Sequence, residues 1–448
     1  MLIFRKIAKW LIILGTVSLI YGGRVFIGGS SDFEYFVPIR GELIFFLAII
    51  CSSLYFVWGR NLQRLKLRKQ ILLALVGYLC MVFLASVASL FRYDLWFDTY
   101  GCVLAVKLLL NIIIFILIYD YVRNDRGFCK GLCLALYIPP LFLIPFLFST
   151  DLVAAFVRLV QDVPMLMTRQ GATMMLSPGD RFAGFTLNPI HMGLTNLVAF
   201  SFVFFLALYN SYKKNWGRSL IYLFLAAGMC GLNFWSLSRS VIVAMFSVVL
   251  AANVVATVYF KKSVLNFFIS SVLSGLFIIF VFFVQPRHIK TGLFGRLTPS
   301  QLYSFQTETS GSGGRISGPR LDIWRYYIGL IPENPFGLGL NYEQKFCLIS
   351  ENGERKGTHS FFLENWAVGG VGALSFIFYI LWKAFLTARN KIGNRDDPLL
   401  VWLLGTVIAL FGLFVAGIYS GLIFFIQFWI LLAIALGYPH RVNKVVIV

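Results

Sequence analysis

Repeated apolar runs limit what this chain can fold into more than any other feature. A helix needs about 20 mostly apolar residues to cross a bilayer, and the 448-residue sequence holds twelve such runs. They are 7–23, 41–58, 71–91, 101–120, 131–149, 188–210, 219–237, 240–260, 264–284, 360–387, 398–417 and 420–438. Dividing 398–438 differently would give eleven. Only 13% of residues are charged, against roughly 25% in soluble domains. The sequence therefore predicts an all-α polytopic membrane protein with about 12 transmembrane helices.

The distribution of lysine and arginine predicts the orientation of these helices. Short loops rich in Lys and Arg stay in the cytoplasm, whereas long loops follow this rule poorly. With the N-terminus inside, the inner segments hold 22 Lys and Arg residues and the outer segments 16, nine of them in the long loop 285–360. We therefore expect both termini to be cytoplasmic. The net charge of +20, spread over short loops in this way, argues against nucleic-acid binding.

The long outer loop organises the rest of the chain. Residues 1–284 are expected to hold transmembrane helices 1–9 with short loops and a longer outer segment at 150–187. Residues 285–360 form the long outer loop, and residues 361–448 hold helices 10–12 and a cytoplasmic tail. Within the loop, residues 319–331 have apolar side chains at helical spacing and predict an amphipathic helix. Both outer segments are long enough to build a site.

Arginines on the outer side are the first candidates for chemistry. Arg239 lies at a tight turn between two predicted spans, and Arg320 and Arg325 flank Trp324 on the predicted outer helix. Guanidinium groups bind phosphate oxygens in pairs of hydrogen bonds and stay charged at physiological pH. The alternatives are that Arg239 reaches lipid headgroups and that the outer pair is a solvated surface. The excess positive charge favours an anionic, phosphate-bearing substrate.

A histidine at the end of the long loop is the second candidate. His359 immediately precedes the tenth predicted span. An imidazole has an ordinary pKa of about 6.5 and can take a proton from a hydroxyl near neutral pH; a purely structural loop histidine is the alternative. The outer carboxylates are scattered, without the spacing typical of a Mg or Zn site. Phosphate binding is therefore expected to depend on arginine.

Four motifs, in this order, resemble the O-antigen ligase and O-antigen polymerase family of bacterial membrane glycosyltransferases. They are Arg181-Phe-Ala-Gly184 with Asn188-Pro189; Ser236-Leu-Ser-Arg239; Arg320-Leu-Asp-Ile-Trp324 followed by Asn334-Pro-Phe-Gly-Leu-Gly339; and Thr358-His-Ser-Phe-Phe-Leu-Glu-Asn leading to Gly369-Gly-Val-Gly372. The resemblance covers roughly residues 180–380. One departure is Ser360, where many members have asparagine directly after the histidine.

The resemblance implies a fold, a substrate and a set of roles. The architecture would be GT-C-like, in the bacterial inner membrane, with a glycan donor carried on undecaprenyl diphosphate at the periplasmic face. Arg239 and Arg320 would bind the diphosphate, His359 would activate the acceptor hydroxyl, and Arg181 and Arg325 are secondary candidates. Family members are understood to act without a metal ion, and no cofactor is expected.

Two other functions compete with the one we favour. A ligase transfers the glycan to lipid A–core oligosaccharide, whereas a polymerase transfers it to another lipid-linked repeat unit, and both use the same donor and the same kind of site. A polysaccharide flippase or secondary transporter also has about twelve spans, but usually places ionisable residues near the bilayer midplane. Here Lys107 is the main charge within a span, and the arginine-rich outer loop favours chemistry at the outer face. We predict a ligase.

Overall fold

The computed structural model describes residues 2–18, 24–27, 35–58, 69–95, 99–148, 176–177, 181–182, 189–285, 289–290, 320–349, 355–392, 397–423 and 425–438. In that part of the chain the helices are α1 (Leu2–Ser18), α2 (Ile39–Trp58), α3 (Lys69–Tyr93), α4 (Thr99–Asn124), α5 (Arg126–Leu141), α6 (Pro189–Tyr212), α7 (Trp216–Trp235), α8 (Arg239–Phe260), α9 (Val264–Val284), α10 (Arg320–Leu330), α11 (Glu343–Phe346), α12 (Phe361–Lys391), α13 (Leu400–Gly417) and α14 (Ile426–Gly437), with a 3₁₀ turn at Ile144–Leu147.

Three short antiparallel hairpins lie in the connections between helices. They pair β1 (Arg24–Ile27) with β2 (Tyr35–Pro38), β3 (Leu176–Ser177) with β4 (Arg181–Phe182), and β5 (Leu348–Ile349) with β6 (Arg355–Lys356). Each hairpin falls in a segment that the charge distribution assigns to the outer side. None of them interrupts a helix, so the hairpins are additions to a helical architecture.

The apolar runs form helices, as predicted. Nine helical stretches within the described residues are long and apolar enough to cross a membrane, and Ile44–Phe56 and Ile426–Gly437 are shorter apolar helices. A helix satisfies its own backbone hydrogen bonds, which a bilayer core requires of any spanning segment. The prediction of an all-α polytopic membrane protein is confirmed.

Two predicted spans differ from the helices at their ends. α1 begins at Leu2 rather than at residue 7, so the basic N-terminal residues lie inside the helix, where the Arg5 guanidinium contacts the rings of Tyr55 and Tyr121. The last span was predicted from residue 420, but α14 begins only at Ile426. The described residues between α13 and α14, 418–423 and 425, are not helical and are here called the connector.

The centre of the bundle is formed by α6 and α13. Within their most apolar windows, 83% of the residues of α6 and 78% of those of α13 are buried inside the protein. α6 packs against α7, α8 and α13, while α14 packs against α4. In contrast, α9 buries only 17% of its window and leaves large apolar side chains exposed, as expected of a helix that faces lipid.

The helices run between two opposite faces of the bundle. We define the terminal face by the contacts Lys9–Asp125, Arg126–Asp397 and Tyr438–Asp397. The opposite site face is defined by the turn at 236–238, the residues just before α12, and the connector. α13 starts three residues after Asp397 and ends at the connector, and α12 runs in the reverse direction between the same faces.

Candidate functional site

The turn that carries Arg239 is short and tightly held. Only three residues join α7 to α8. The Ser236 hydroxyl donates to the carbonyl oxygen of Asn233 (2.7 Å) and accepts from the backbone N–H of Ser238 (3.3 Å). Leu237 has φ 48° and is 2% exposed; a branched, buried residue in the left-handed region is strained. This turn places Arg239 at the first position of α8.

The chemistry around Arg239 suits an anion. Ser238 occupies the N-cap position without a side-chain capping bond, and its hydroxyl lies 3.0 Å from that of Ser240. Both serines are buried, while Arg239 is half-buried. The first N–H groups of a helix have no partner within the helix and carry partial positive charge. A guanidinium, a helix N-terminus and two hydroxyls therefore converge at this turn.

The outer helix predicted at 319–331 is α10, and it packs against the site face. The Trp324 ring stacks on Tyr419 of the connector, with centroids 5.5 Å apart and planes at 29°. Arg320 is the first residue of α10, one turn before Trp324, and Arg325 is exposed. Five residues correspond to a rotation of about 140° around a helix, so positions 320 and 325 lie on different faces of α10.

His359 lies at the entrance to α12. It is exposed and has φ 46°, a left-handed conformation in which histidine is enriched among non-glycine residues. Its neighbours Thr358 and Ser360 are 2% and 4% exposed, and Ser360 is the N-cap residue of α12. The buried neighbours fix the backbone on both sides of an exposed imidazole.

The stretch 334–339 hydrogen-bonds to α12 at a break in that helix. The backbone N–H of Leu338 donates to the carbonyl oxygen of Ala367 (2.6 Å), and that of Val371 donates to Pro335 (3.0 Å). These bonds replace helical ones, because α12 is non-helical in the middle. Two of the family-like motifs are thus joined directly through their backbones, and the end of α10 is held beside the helix that follows His359.

Glycine is required where these two segments meet. Gly370 has φ 71° and Gly337 has φ 90°, both in the region that favours glycine. A Cβ atom on Gly370 would lie 2.4 Å from the carbonyl carbon of Phe336, and one on Gly337 would lie 2.4 Å from the nitrogen of Gly370. The glycines of both motifs are therefore explained by backbone contact.

Neutral phenols lie next to the His359 segment. Tyr342 donates to Glu343 Oε1 (3.2 Å) and its ring contacts that of Tyr327. Burial raises the pKa of both tyrosines, and the Glu343 carboxylate raises it further, so both remain hydroxyl donors at physiological pH. The buried Tyr327 hydroxyl has no hydrogen-bond partner among the described residues.

The connector reaches the Arg239 turn and α10 together. The Ser420 hydroxyl lies 3.4 Å from that of Ser240, and the adjacent Tyr419 carries the stack with Trp324. Sequence reasoning missed these residues because it placed them in an apolar span. The signal that could have revealed them is the Ser420–Gly421 pair, a turn-forming combination inside an apolar run.

The predicted site residues occupy different kinds of position. Arg239 and Arg320 begin α8 and α10, His359 lies two residues before α12, and Arg325 lies in the middle of α10. Arg181 belongs to β4, which contacts α6 and α7. The fold defines a class, a multi-pass helical membrane protein, and these residues are its candidate site.

The comparison with known families identifies that class further. Residues 221–378 match the family model described as O-antigen ligase, which confirms the resemblance seen in the motifs. With nine described helices that could cross a membrane, the chain is a multi-pass membrane protein that is similar to this family over those residues. The match includes Arg239, Arg320, Arg325 and His359, whereas Arg181 and the connector lie outside it. No curated protein sequence matches the chain.

Proposed function

We propose that this protein is an O-antigen ligase. It transfers a glycan from undecaprenyl diphosphate to a hydroxyl of lipid A–core oligosaccharide at the periplasmic face, without a metal ion and with inversion at the anomeric carbon. The observation that carries the proposal is the position of the Arg239 turn and the His359 entrance at one face of the bundle, both within the family-matched segment.

The donor diphosphate binds Arg239 and Arg320 in this proposal. Arg239 combines a permanent charge with the N-terminus of α8 and the neighbouring serine hydroxyls, a combination that stabilises phosphate oxygens. Arg320 begins α10, which the Trp324–Tyr419 stack holds against the same face. Arg181 and Arg325 are secondary candidates for contacts to the diphosphate or the sugar.

The transfer step is a single displacement. The acceptor hydroxyl oxygen attacks the anomeric carbon, His359 takes the hydroxyl proton, and the bond from that carbon to the diphosphate oxygen breaks. Undecaprenyl diphosphate leaves with the bonding electron pair, and the two arginines stabilise the negative charge that develops on it. Fixed charges aimed at developing charge usually supply the largest part of such catalysis.

The predicted orientation of the helices supports transfer at the periplasmic face. If both termini are cytoplasmic, as the Lys and Arg distribution predicts, the site face opens to the periplasm. The long loop, with its nine positive residues, is then on the side of the membrane where an anionic lipid-linked donor arrives. They assist its capture in addition to any role in the chemistry.

Reconstitution into vesicles tests the function. The purified protein receives lipid-linked glycan together with either lipid A–core or a second lipid-linked repeat unit. Glycan joined to lipid A–core supports the ligase proposal. If the only product is longer lipid-linked glycan, the protein is a polymerase and the ligase proposal fails. Movement of unaltered lipid-linked glycan across the vesicle membrane, with no transfer product, would replace both with a flippase.

Three variants test the mechanism. His359→Ala, Arg239→Ala and Arg320→Ala are each expected to lose about 10²-fold or more in transfer, while inserting into the membrane as the wild type does. Lys107→Ala, within α4, is the matched control for removal of a positive charge and should retain transfer. Wild-type rates in all three test variants would exclude the proposed roles.

A further inference from the structure

The connector contacts each of the three elements to which the proposed function assigns a role. Ser420 reaches Ser240, next to Arg239, at 3.4 Å between hydroxyl oxygens. Tyr419 stacks on Trp324, one turn after Arg320. The third contact is to α12, the helix that follows His359. A single non-helical segment therefore touches the arginine turn, the arginine helix and the histidine helix.

The contact with α12 is made by a carboxylate. Glu364 lies in the first turn of α12, and its Oε2 accepts a hydrogen bond from the backbone N–H of Ile423 at 3.3 Å. The carbonyl oxygen of Ile423 accepts a hydrogen bond from the Trp429 indole N–H at 2.8 Å. Side chains thus bind both backbone polar groups of Ile423. Non-helical backbone within the hydrocarbon region of a membrane is tolerated only where protein satisfies its polar groups, and the connector has such partners at Ile423.

The packing around Glu364 leaves no room beside the connector. A Cβ atom on Gly421 would lie 2.8 Å from both carboxylate oxygens of Glu364. A Cβ on Gly417, at the end of α13, would lie 3.1 Å from Cβ of Phe361, the first residue of α12. The start of α12 is therefore in direct contact with Gly421 of the connector and with Gly417 at the end of α13. The absence of a side chain at these two glycines makes the close contact possible.

We propose that Glu364 is a positioning residue: by accepting the Ile423 N–H it fixes the connector, and the connector fixes the Arg239 turn and α10 relative to His359. This role rests on the proposed function of these groups. Glu364 does not touch the substrate in this proposal. Its loss would misplace the arginines relative to the histidine, and displacements of about 1 Å can cost about 100-fold in rate.

Two substitutions disturb this bond in independent ways. Glu364→Ala removes the acceptor, and Gly421→Ala pushes the carboxylate away from Ile423 while leaving the glutamate in place. The displaced atoms are the far end of a flexible side chain, so the second variant is expected to fold. Glu364→Gln is the conservative variant, since its amide oxygen can accept the same N–H. Gly275→Ala is the control, because a Cβ there meets no atom within 4 Å.

Steady-state transfer kinetics in vesicles test the proposal. Glu364→Ala and Gly421→Ala should each lower kcat at least about tenfold, with KM for the donor changed less than about threefold. Glu364→Gln and Gly275→Ala should keep kcat within about threefold of the wild type. Wild-type kcat in Glu364→Ala would overturn the proposal. So would an equal loss in Glu364→Gln, which would mean that a side-chain oxygen able to accept the Ile423 N–H is not sufficient.

The same experiment separates this proposal from the function on which it rests. If His359→Ala and Arg239→Ala lose transfer but Glu364→Ala and Gly421→Ala do not, the ligase mechanism stands and the positioning role fails. If His359→Ala and Arg239→Ala transfer normally, the proposed mechanism itself fails, and the positioning role fails with it.

Discussion

At the terminal face Asp397 accepts hydrogen bonds from Arg126 (2.7 Å) and from Tyr438 (2.7 Å), whereas at the site face Arg239 starts a helix beside buried serine hydroxyls. The first arrangement joins the Arg126 guanidinium and the Tyr438 hydroxyl to one carboxylate and so ties the ends of helices together. The second concentrates positive charge and hydrogen-bond donors toward one place. The first arrangement stabilises the bundle, and we propose that the second receives an anion.

One backbone position also distinguishes the faces. Left-handed residues occur at both, and Lys214 and Lys261 at the terminal face are exposed, as are Asp94 and His359 at the site face. Leu237 at the site face is left-handed and buried. Strain that surrounding packing maintains is characteristic of functional sites. This contrast can be tested with variants at each face.

The largest expected effect is on the assembly of the site face. Gly370→Ala should destabilise the protein by more than about 3 kcal/mol, because the new Cβ would meet backbone atoms of residues 335–336 at a positive φ. Gly372→Ala is the matched control, since its Cβ would meet only the flexible Met81 side chain. Thermal unfolding in detergent measures both. Equal stability of the two variants would show that the backbone contact between the motifs is not essential.

The second effect separates two histidines at the same face. His191 and His359 are both exposed, and the His191 ring lies 6.0 Å from that of Phe425. If His359 is the general base, His359→Ala should lower kcat by about 10²–10⁴-fold, and His191→Ala should lower it less than about tenfold. Transfer rates at saturating donor measure this. A larger loss in His191→Ala than in His359→Ala would assign the proton-accepting role to His191 and contradict our assignment.

The sequence predicted the helices better than it predicted the connections between them. Bilayer thickness imposes one length on every spanning helix, so the apolar runs predicted the helices, and charge near Arg239 and His359 marked one side of them. The chemistry of guanidinium and imidazole then pointed to those two residues. Local composition was sufficient because each of these features depends on nearby residues.

The rest depended on contacts between distant residues. Nothing local to Glu364 shows that its carboxylate binds the backbone of Ile423, 59 positions later. The connector looked like the start of a span because Leu422 and Ile423 are apolar, yet they are buried by protein rather than by helix formation. The separation of positions 320 and 325 around α10 by about 140° also follows from the helix and not from their proximity in the chain.

The third effect concerns stability at the terminal face. Asp397→Ala should destabilise the protein by about 3 kcal/mol, because Tyr438 and the backbone N–H of Leu399 (3.1 Å) lose their acceptor together with Arg126. Arg126→Ala should cost less, since that side chain is 50% exposed. Denaturation in detergent gives the stabilities, and transfer per folded molecule should remain that of the wild type. A loss of kcat in folded Asp397→Ala would contradict the proposal that the terminal face contributes to stability and not to transfer.

The smallest effect is a pH dependence at the same face. Partial burial raises the pKa of the Asp125 carboxyl, but hydrogen bonds from Lys9 and from the backbone N–H of Phe128 outweigh it, so the pKa lies below its usual value. A carboxyl group with a lowered pKa stabilises the folded state above its ordinary pKa of about 3.9, and this contribution is lost as the pH falls through the folded-state value. Because the side chain is 37% exposed, we expect only about 0.5 kcal/mol.

Asp125→Asn tests this contribution, since asparagine keeps the N-cap bond to α5 and removes the charge. The wild type should be more stable than the variant at pH 6, and the difference should close as the pH is lowered below about 4. Melting temperatures in detergent across that range measure the difference. A gap that stays constant with pH would assign the stabilisation to the cap rather than to the Lys9 pair, and would leave Arg126–Asp397 as the charge pair that stabilises the terminal face.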